Sequence, residues 1–245
     1  MMLHLATLLI TGGGLTAAGL TAGDAEFARL EYDRAEVTYD SVRTLSPDSA
    51  QCFWRLARLY VCRGDMAERE KKEETYRKAV EFAERCIRSD STVAQGHTWK
   101  AAALGNIAMF EGSKGKVRLC NEIKHELDRA LALDSLDDVA YSITGSFYLA
   151  LGKVGWIERQ LAAVFLGSLP DGGFGEAEAA LRKAIAIAPG IVRHRFELGL
   201  VLEEEGRREE AIQSFRAAAE LPTTVASDPR TRERALRMAE KLESE

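Results

Sequence analysis

Apolar residues recur along this chain in steps of three and four, the spacing of helices that bury one face. Ala35, Tyr39 and Val42 form one ladder, and Ala79, Ala83 and Cys86 a second. Leu127 with Ala130, then Ala177, Leu181 and Ala184, then Ala211, Phe215 and Ala218 continue the series. Each ladder runs into a turn mark: Ser46-Pro47-Asp48, Ser89-Asp90-Ser91, Leu133-Asp134-Ser135, Ala188-Pro189-Gly190 and Leu221-Pro222. After each of the first four marks a further ladder begins: Phe53, Leu56, Ala57 and Tyr60; His97, Ala101 and Leu104; Tyr141, Gly145 and Tyr148; Leu198, Gly199 and Leu202. The pattern predicts an all-α chain of paired helices.

The last pair is the most regular. "ELGLVLEEEGRREEAIQSFRAAAELP" places Gly199 on one helix, Gly206 in the turn, and Ala211 and Phe215 on the next. It resembles the tetratricopeptide pattern, in which small residues let two helices pack closely within a unit of about 34 residues. The expected architecture is a tetratricopeptide-like right-handed helical solenoid. It comprises a partial unit at about 24–47, four pairs, and a final helix, Pro229 to Leu242, over the open end.

The earlier pairs carry insertions. From Leu202 to Ala211 is nine steps, but from Tyr60 to Ala79 and from Leu104 to Ile123 it is nineteen, and from Tyr148 to Ala177 twenty-nine. "GDMAEREKKEETYRKAV" absorbs the first insertion in a longer helix, supported by Glu68–Lys72, Glu73–Arg77 and Glu74–Lys78 pairs at i,i+4. The second fits a turn at Gly112-Ser113-Lys114-Gly115 and another long helix. The third contains Pro170, Gly172 and Gly173, which break helix, so an added helix is expected at roughly Val154 to Leu166, with the second helix of the pair starting near Gly175. That added helix, bearing Trp156, Leu161, Phe165 and Leu166, is expected to act as a structural lid anchored by Trp156. A partner-docking surface is the other reading.

"EGSKGKVRLCNEIKHELDRALALD" and "YSITGSFYLALGKVGWIERQLAAVFLGSLPDGGFGEAEAALRKAIAIAPG" resemble the regulator of microtubule dynamics proteins and their bacterial relatives. The marks are Glu111-Gly112 with Lys114 and Lys116, and Trp156-Ile157-Glu158-Arg159 followed by an apolar helix and a Pro/Gly loop. The resemblance covers roughly residues 50 to 220. It implies the helical-repeat fold and no catalytic residues.

Composition narrows the function. The 245 residues carry a net charge of −5, whereas a general nucleic-acid binder displays a basic face, so no nucleic-acid partner is expected. Glu122 and His125 form a single ExxH, half of a di-iron bundle site, and His4, His97 and His194 have no nucleophile motif to serve. No enzyme, cofactor or metal is expected, and His97 reads as a core or boundary histidine. Cys52, Cys62, Cys86 and Cys120 lack CxxC spacing and read as free, mostly buried thiols.

Residues 1–23 are uncharged and end in small residues, as in an export signal cleaved near Thr21-Ala22-Gly23. A loose membrane anchor and a buried first helix are the other readings, and the Gly12-Gly13-Gly14 run lacks the spacing and βαβ context of a nucleotide site. The expected domains are therefore 1–23, a signal or apolar segment with possible membrane association, and 24–245, the repeat domain. The expected location is exported or periplasmic, otherwise cytoplasmic.

Binding remains as the expected function: a non-catalytic scaffold for a protein or peptide. The family's groove-facing positions fall on Trp54 and Arg58, Thr98 and Asn106, Ser142 and Ser146, and Arg193 and Glu203. Of these Trp54, Arg58, Asn106, Ser146, Arg193 and Glu203 are the candidate partner-binding residues, with the arginines facing carboxylates and Trp54 as apolar anchor. The alternative is a carrier of a small apolar ligand, with residues 154–166 roofing a pocket.

Overall fold

A computed structural model describes residues 12–165 and 167–244, with Trp156, Ile157 and Phe165 described by backbone alone. The described residues form twelve α-helices: α1 (Gly12–Ala28), α2 (Tyr32–Leu45), α3 (Ala50–Met66), α4 (Arg69–Ser89), α5 (Ala94–Ile107), α6 (Ser113–Leu133), α7 (Asp138–Gly152), α8 (Trp156–Phe165), α9 (Phe174–Ile187), α10 (Val192–Glu204), α11 (Arg208–Glu220) and α12 (Asp228–Ser244). Antiparallel pairs α1/α2, α3/α4, α5/α6, α7/α9 and α10/α11 stack in chain order, and α12 covers the last of them. The first helices of neighbouring pairs also touch one another, α3 on α5, α5 on α7 and α7 on α10. They form the inner layer of the solenoid, and α4, α6, α9 and α11 the outer.

The ladders are the core. Tyr39, Ala79, Ala83, Cys86, Ala130, Ala177, Leu181, Ala184, Ala211, Phe215 and Ala218 are all fully buried. Their partner helices come close enough to exclude a side chain. A Cβ at Gly199 would lie 2.6 Å from the Phe215 ring, and one at Gly145 would lie 2.4 Å from Leu181 Cγ. The turn between α10 and α11 requires Gly206, whose φ of 73° is left-handed. Side-chain caps begin two inner helices: Ser49 Oγ accepts from the Cys52 amide at 3.2 Å and Asp137 Oδ1 from the Ala140 amide at 2.8 Å.

The first two insertions lengthen α4 and α6 to 21 residues each. Ser113 to Gly115 already belong to α6, so the turn lies just before them. Glu73–Arg77 and Glu74–Lys78 pair as expected at 2.6 and 3.5 Å, while Lys72 instead donates to the Asp65 carbonyl at 3.2 Å. Tyr141 and Tyr148 are half-buried, so the third inner helix closes its core through Ala140, Phe147, Leu149 and Leu151 as well.

The third insertion is α8 and its loop. Arg159 fixes it: Nη2 donates to the carbonyls of Leu151 at 2.7 Å and Gly172 at 3.1 Å, and Nη1 to that of Pro170 at 3.2 Å. Ala162 is buried, but Leu161 and Val164 face solvent at 53% and 73% exposure. Leu161 therefore departs from its expected covering role. The side chains of Trp156 and Phe165, and all of Leu166, lie outside the described residues.

Residues from Gly12 onward are part of the packed fold. α1 completes the partial unit: Gly23 approaches Tyr39 and Gly19 approaches Val42 so closely that a Cβ would lie 2.4 and 2.5 Å away. The boundary between residues 23 and 24 falls inside this helix. No helix among the described residues is long and apolar enough to cross a membrane.

Two glycine substitutions separate close packing from backbone preference. Gly105, on α5, has open space around its Cβ direction, so Gly105→Ala is expected to stabilise by up to about 1 kcal/mol. Gly199→Ala meets Phe215 and is expected to destabilise by about 1–3 kcal/mol. Urea unfolding checks both, and midpoint shifts of the same sign would contradict the packing described.

Candidate functional site: the inner helical face

The inner helices carry a series of polar contacts. Asp24 on α1 is the first centre. Its carboxylate accepts from Tyr39 Oη at 2.7 Å, Arg55 Nε at 2.8 Å and Arg58 Nη2 at 2.8 Å. Burial favours the neutral acid, but the Tyr39 and Arg55 hydrogen bonds and the two guanidinium charges outweigh it and hold this carboxyl below its ordinary value. Arg58 also lies over the Phe27 ring at 3.8 Å, and Arg55 over Trp54 at 4.2 Å. Both arginines are thus engaged within the chain.

Asp65, at the end of α3, is the second centre. It accepts from Tyr76 Oη at 2.9 Å and, across the superhelix, from Arg193 Nη2 at 3.1 Å. Further along α10, Glu197 accepts a short hydrogen bond from Ser146 on α7. Burial raises the Glu197 carboxyl, with Arg193 acting in the opposite direction. His194 Nε2 hydrogen-bonds to Asp138 Oδ2 at 2.8 Å, joining the same two helices.

An open recess of about 240 Å³ lies between α3, α5 and the start of α7. Trp54, Trp99 and Leu136 supply its apolar surface, and Asp134, Asp137 and Asp138 its carboxylates. The three acids differ. Asp137 is buried, accepts from Thr98 Oγ1 at 2.6 Å, and is raised by burial. Asp134 Oδ1 accepts from the Leu136 amide at 2.9 Å, and Asp138 pairs with His194. Leu136 is 66% exposed.

Of the six candidate residues, the recess brings together Trp54 and Arg58. Arg193 and Ser146 lie along the α7–α10 side of the inner face, already bonded to Asp65 and Glu197. Asn106 and Glu203 are half-buried near the C-terminal ends of α5 and α10 and do not line the recess. The arginines expected to meet a partner's carboxylates are paired internally, and the recess presents acids instead. Trp99, Leu136 and Asp134 were not singled out by the sequence. Asp134 read only as a turn mark, and nothing local links the turn before α7 to α3.

A sequence profile of the regulator of microtubule dynamics protein 1-3 family matches residues 20–243. The chain belongs to this family. Human regulator of microtubule dynamics protein 2 is 27% identical over 186 residues, which are 74% of this chain and 45% of that protein. Mouse regulator of microtubule dynamics protein 3 is 27% identical over 187 residues, 75% of this chain and 40% of that protein. The chain thus spans less than half the length of these relatives. A thermophilic tetratricopeptide-repeat protein of Thermus thermophilus superposes with a TM-score of 0.65 at 19% identity, covering 91% of this chain and 98% of its own. That likeness bears out the tetratricopeptide-like fold.

Other chemistry can be placed. Glu122 pairs with Lys100 at 3.0 Å and His125 is exposed, so the ExxH is not an inward site. Among the described residues no group of His, Cys, Asp and Glu has the arrangement of a metal site. All four cysteines are free. The recess between α3, α5 and α7 does not lie beneath α8, and nothing found supports a pocket roofed by residues 154–166.

His97 is a buried core residue joining α5 to α6. Nδ1 lies 2.5 Å from Glu126 Oε2 and Nε2 lies 3.2 Å from the Ser91 carbonyl. Glu126 also accepts from Lys100 at 2.9 Å. Burial pushes the Glu126 carboxyl up, but the His97 and Lys100 hydrogen bonds and their charges prevail and hold it below the ordinary 4.5. A carboxyl lowered by folding stabilises above its unfolded pKa and loses that contribution as pH falls through the folded one. Glu126→Gln is therefore expected to cost about 1–3 kcal/mol at neutral pH. It should also flatten the loss of stability below the ordinary Glu value, measured by urea unfolding at stepped pH.

Proposed function

We propose that the protein is a non-catalytic scaffold that holds a protein or peptide partner. The partner segment presents an apolar side chain to Trp54, Trp99 and Leu136, and a cation to Asp134 and Asp138. The observation that carries this reading is one open recess on an inner solenoid face that joins two indoles, an exposed leucine and carboxylates. Exposed aromatic and aliphatic surface beside charge is the composition of binding hot spots. The relatives named as regulators of microtubule dynamics suit a role exerted through binding, over the part of their length that is shared.

Short fluorescent peptides combining Leu with Lys or Arg test the recess, against the same peptides with Glu for the cation. The Lys or Arg forms are expected to bind more tightly. Leu136→Lys should weaken them about tenfold, the equivalent of about 1.4 kcal/mol, with the unfolding midpoint unchanged. Equal affinity for the acidic peptides would overturn the assignment.

We also propose export, with any cut upstream of the packed part of α1. A cut after Gly23 would strip Gly19 and Leu20 from the core around Val42 and Tyr39. The mass of the natively expressed protein checks this. Intact Met1 in the cytoplasmic fraction, or a start at Asp24 in a protein with unchanged stability, would count against it.

A further inference from the structure

The connector between α11 and α12, residues 221–227, reaches back to the start of the chain. The Ala226 amide donates to Tyr32 Oη at 3.0 Å, between residues 194 apart in sequence. The Val225 side chain packs against the core that holds Phe27, Tyr39, Leu59 and Cys62. Beside it the Arg193–Asp65 pair joins α10 to α3. The connector therefore touches the first pair and α10 touches the second, and the inner face is bridged by the chain's own residues.

The connector is shaped without help from its docking surface. The buried Asp228 carboxylate accepts from the Thr224 amide at 2.6 Å, Thr224 Oγ1 at 3.0 Å and the Val225 amide at 2.9 Å. Arg232 Nη1 donates to the Leu221 carbonyl at 3.1 Å. The docked contacts are few by comparison: one amide–phenol hydrogen bond, one valine, and an ion pair whose Arg193 side chain is 46% exposed. Neighbouring pairs, in contrast, share continuous apolar cores. A preformed segment held by a small, mixed contact can leave and reseat while the cores stay intact.

We infer that residues 221–227 form an intramolecular clasp, which covers the Cys62 end of the inner face and opens that end when released, with the helix pairs still folded. The segment Pro222 to Ser227 is uncharged, so it leaves Asp65 and Arg193 to each other rather than competing for them. The inference rests on these contacts and not on the proposed recess partner, which lies at the other end of α3.

Cys62 reports the state of the clasp. It is buried, its thiol meets the Tyr32 side chain, and Asp65 and Arg193 lie nearby. Cys52, ten residues earlier on α3 within the same core, and Cys86, in a separate core, are fully buried and serve as internal controls. Alkylation by iodoacetamide, followed residue by residue by mass spectrometry on the full chain, measures each. Val225→Asp is expected to speed Cys62 alkylation at least about tenfold, a factor worth about 1.4 kcal/mol of opening, with Cys52 and Cys86 unchanged. Tyr32→Phe, which removes the acceptor but keeps the ring, should speed it severalfold in the same residue-selective way. An unchanged Cys62 rate in both variants would show that the connector does not cover it. A parallel rise at Cys86 would show that the connector is an inseparable part of the fold, and would equally overturn the clasp.

Discussion

A large side chain laid directly on a glycine of the facing helix is the contact on which this stack depends. Tyr39 lies on Gly23, Tyr76 on Gly64, Leu181 on Gly145 and Phe215 on Gly199, each too close for any Cβ. Four of the five pairs use it, and it sets how near the two helices come and how they are rotated. In the remaining pair, α5/α6, fully buried Ala101 and the His97–Glu126–Lys100 contacts hold the helices together. The rotation fixes which residues of α3, α5, α7 and α10 reach the inner face, so the site follows from the packing.

Burial and charge compete at four carboxyls of this chain. Asp24 and Glu126 are lowered because cations face them, while Asp137 and Glu197 are raised because burial prevails. Their environments decide the outcome, since the side chains are of the same chemical type.

The ladders were legible because a buried helical face repeats in register with the chain, and their ends were marked by Pro, Gly and Asp. Helix α8 was legible from spacing, since the excess between Tyr148 and Ala177 included residues that break helix. Its orientation was not, because Arg159 bonds to three backbone carbonyls that no side-chain pattern reveals. Helix α1 was ambiguous for a physical reason: small uncharged residues serve both close helix packing and export signals, and Gly19 and Gly23 are of this kind. The site was half legible. Trp54 and Arg58 fall in the recess, but the partner of Arg58 is 34 residues away and that of Arg193 is 128 residues away. No local spacing encodes such pairs.

Repeat arrays are usually treated as open chains of nearest neighbours, which fray from whichever end is weaker. The contact between the connector and Tyr32 changes that boundary condition. With the connector after α11 resting on α2, the two ends of the array are linked through a small contact. Loss of α1/α2 then also removes the surface on which the C-terminal segment rests, and the reverse holds. Cooperativity in such a molecule comes partly from its topology, through two ends that stabilise each other although almost the whole sequence separates them.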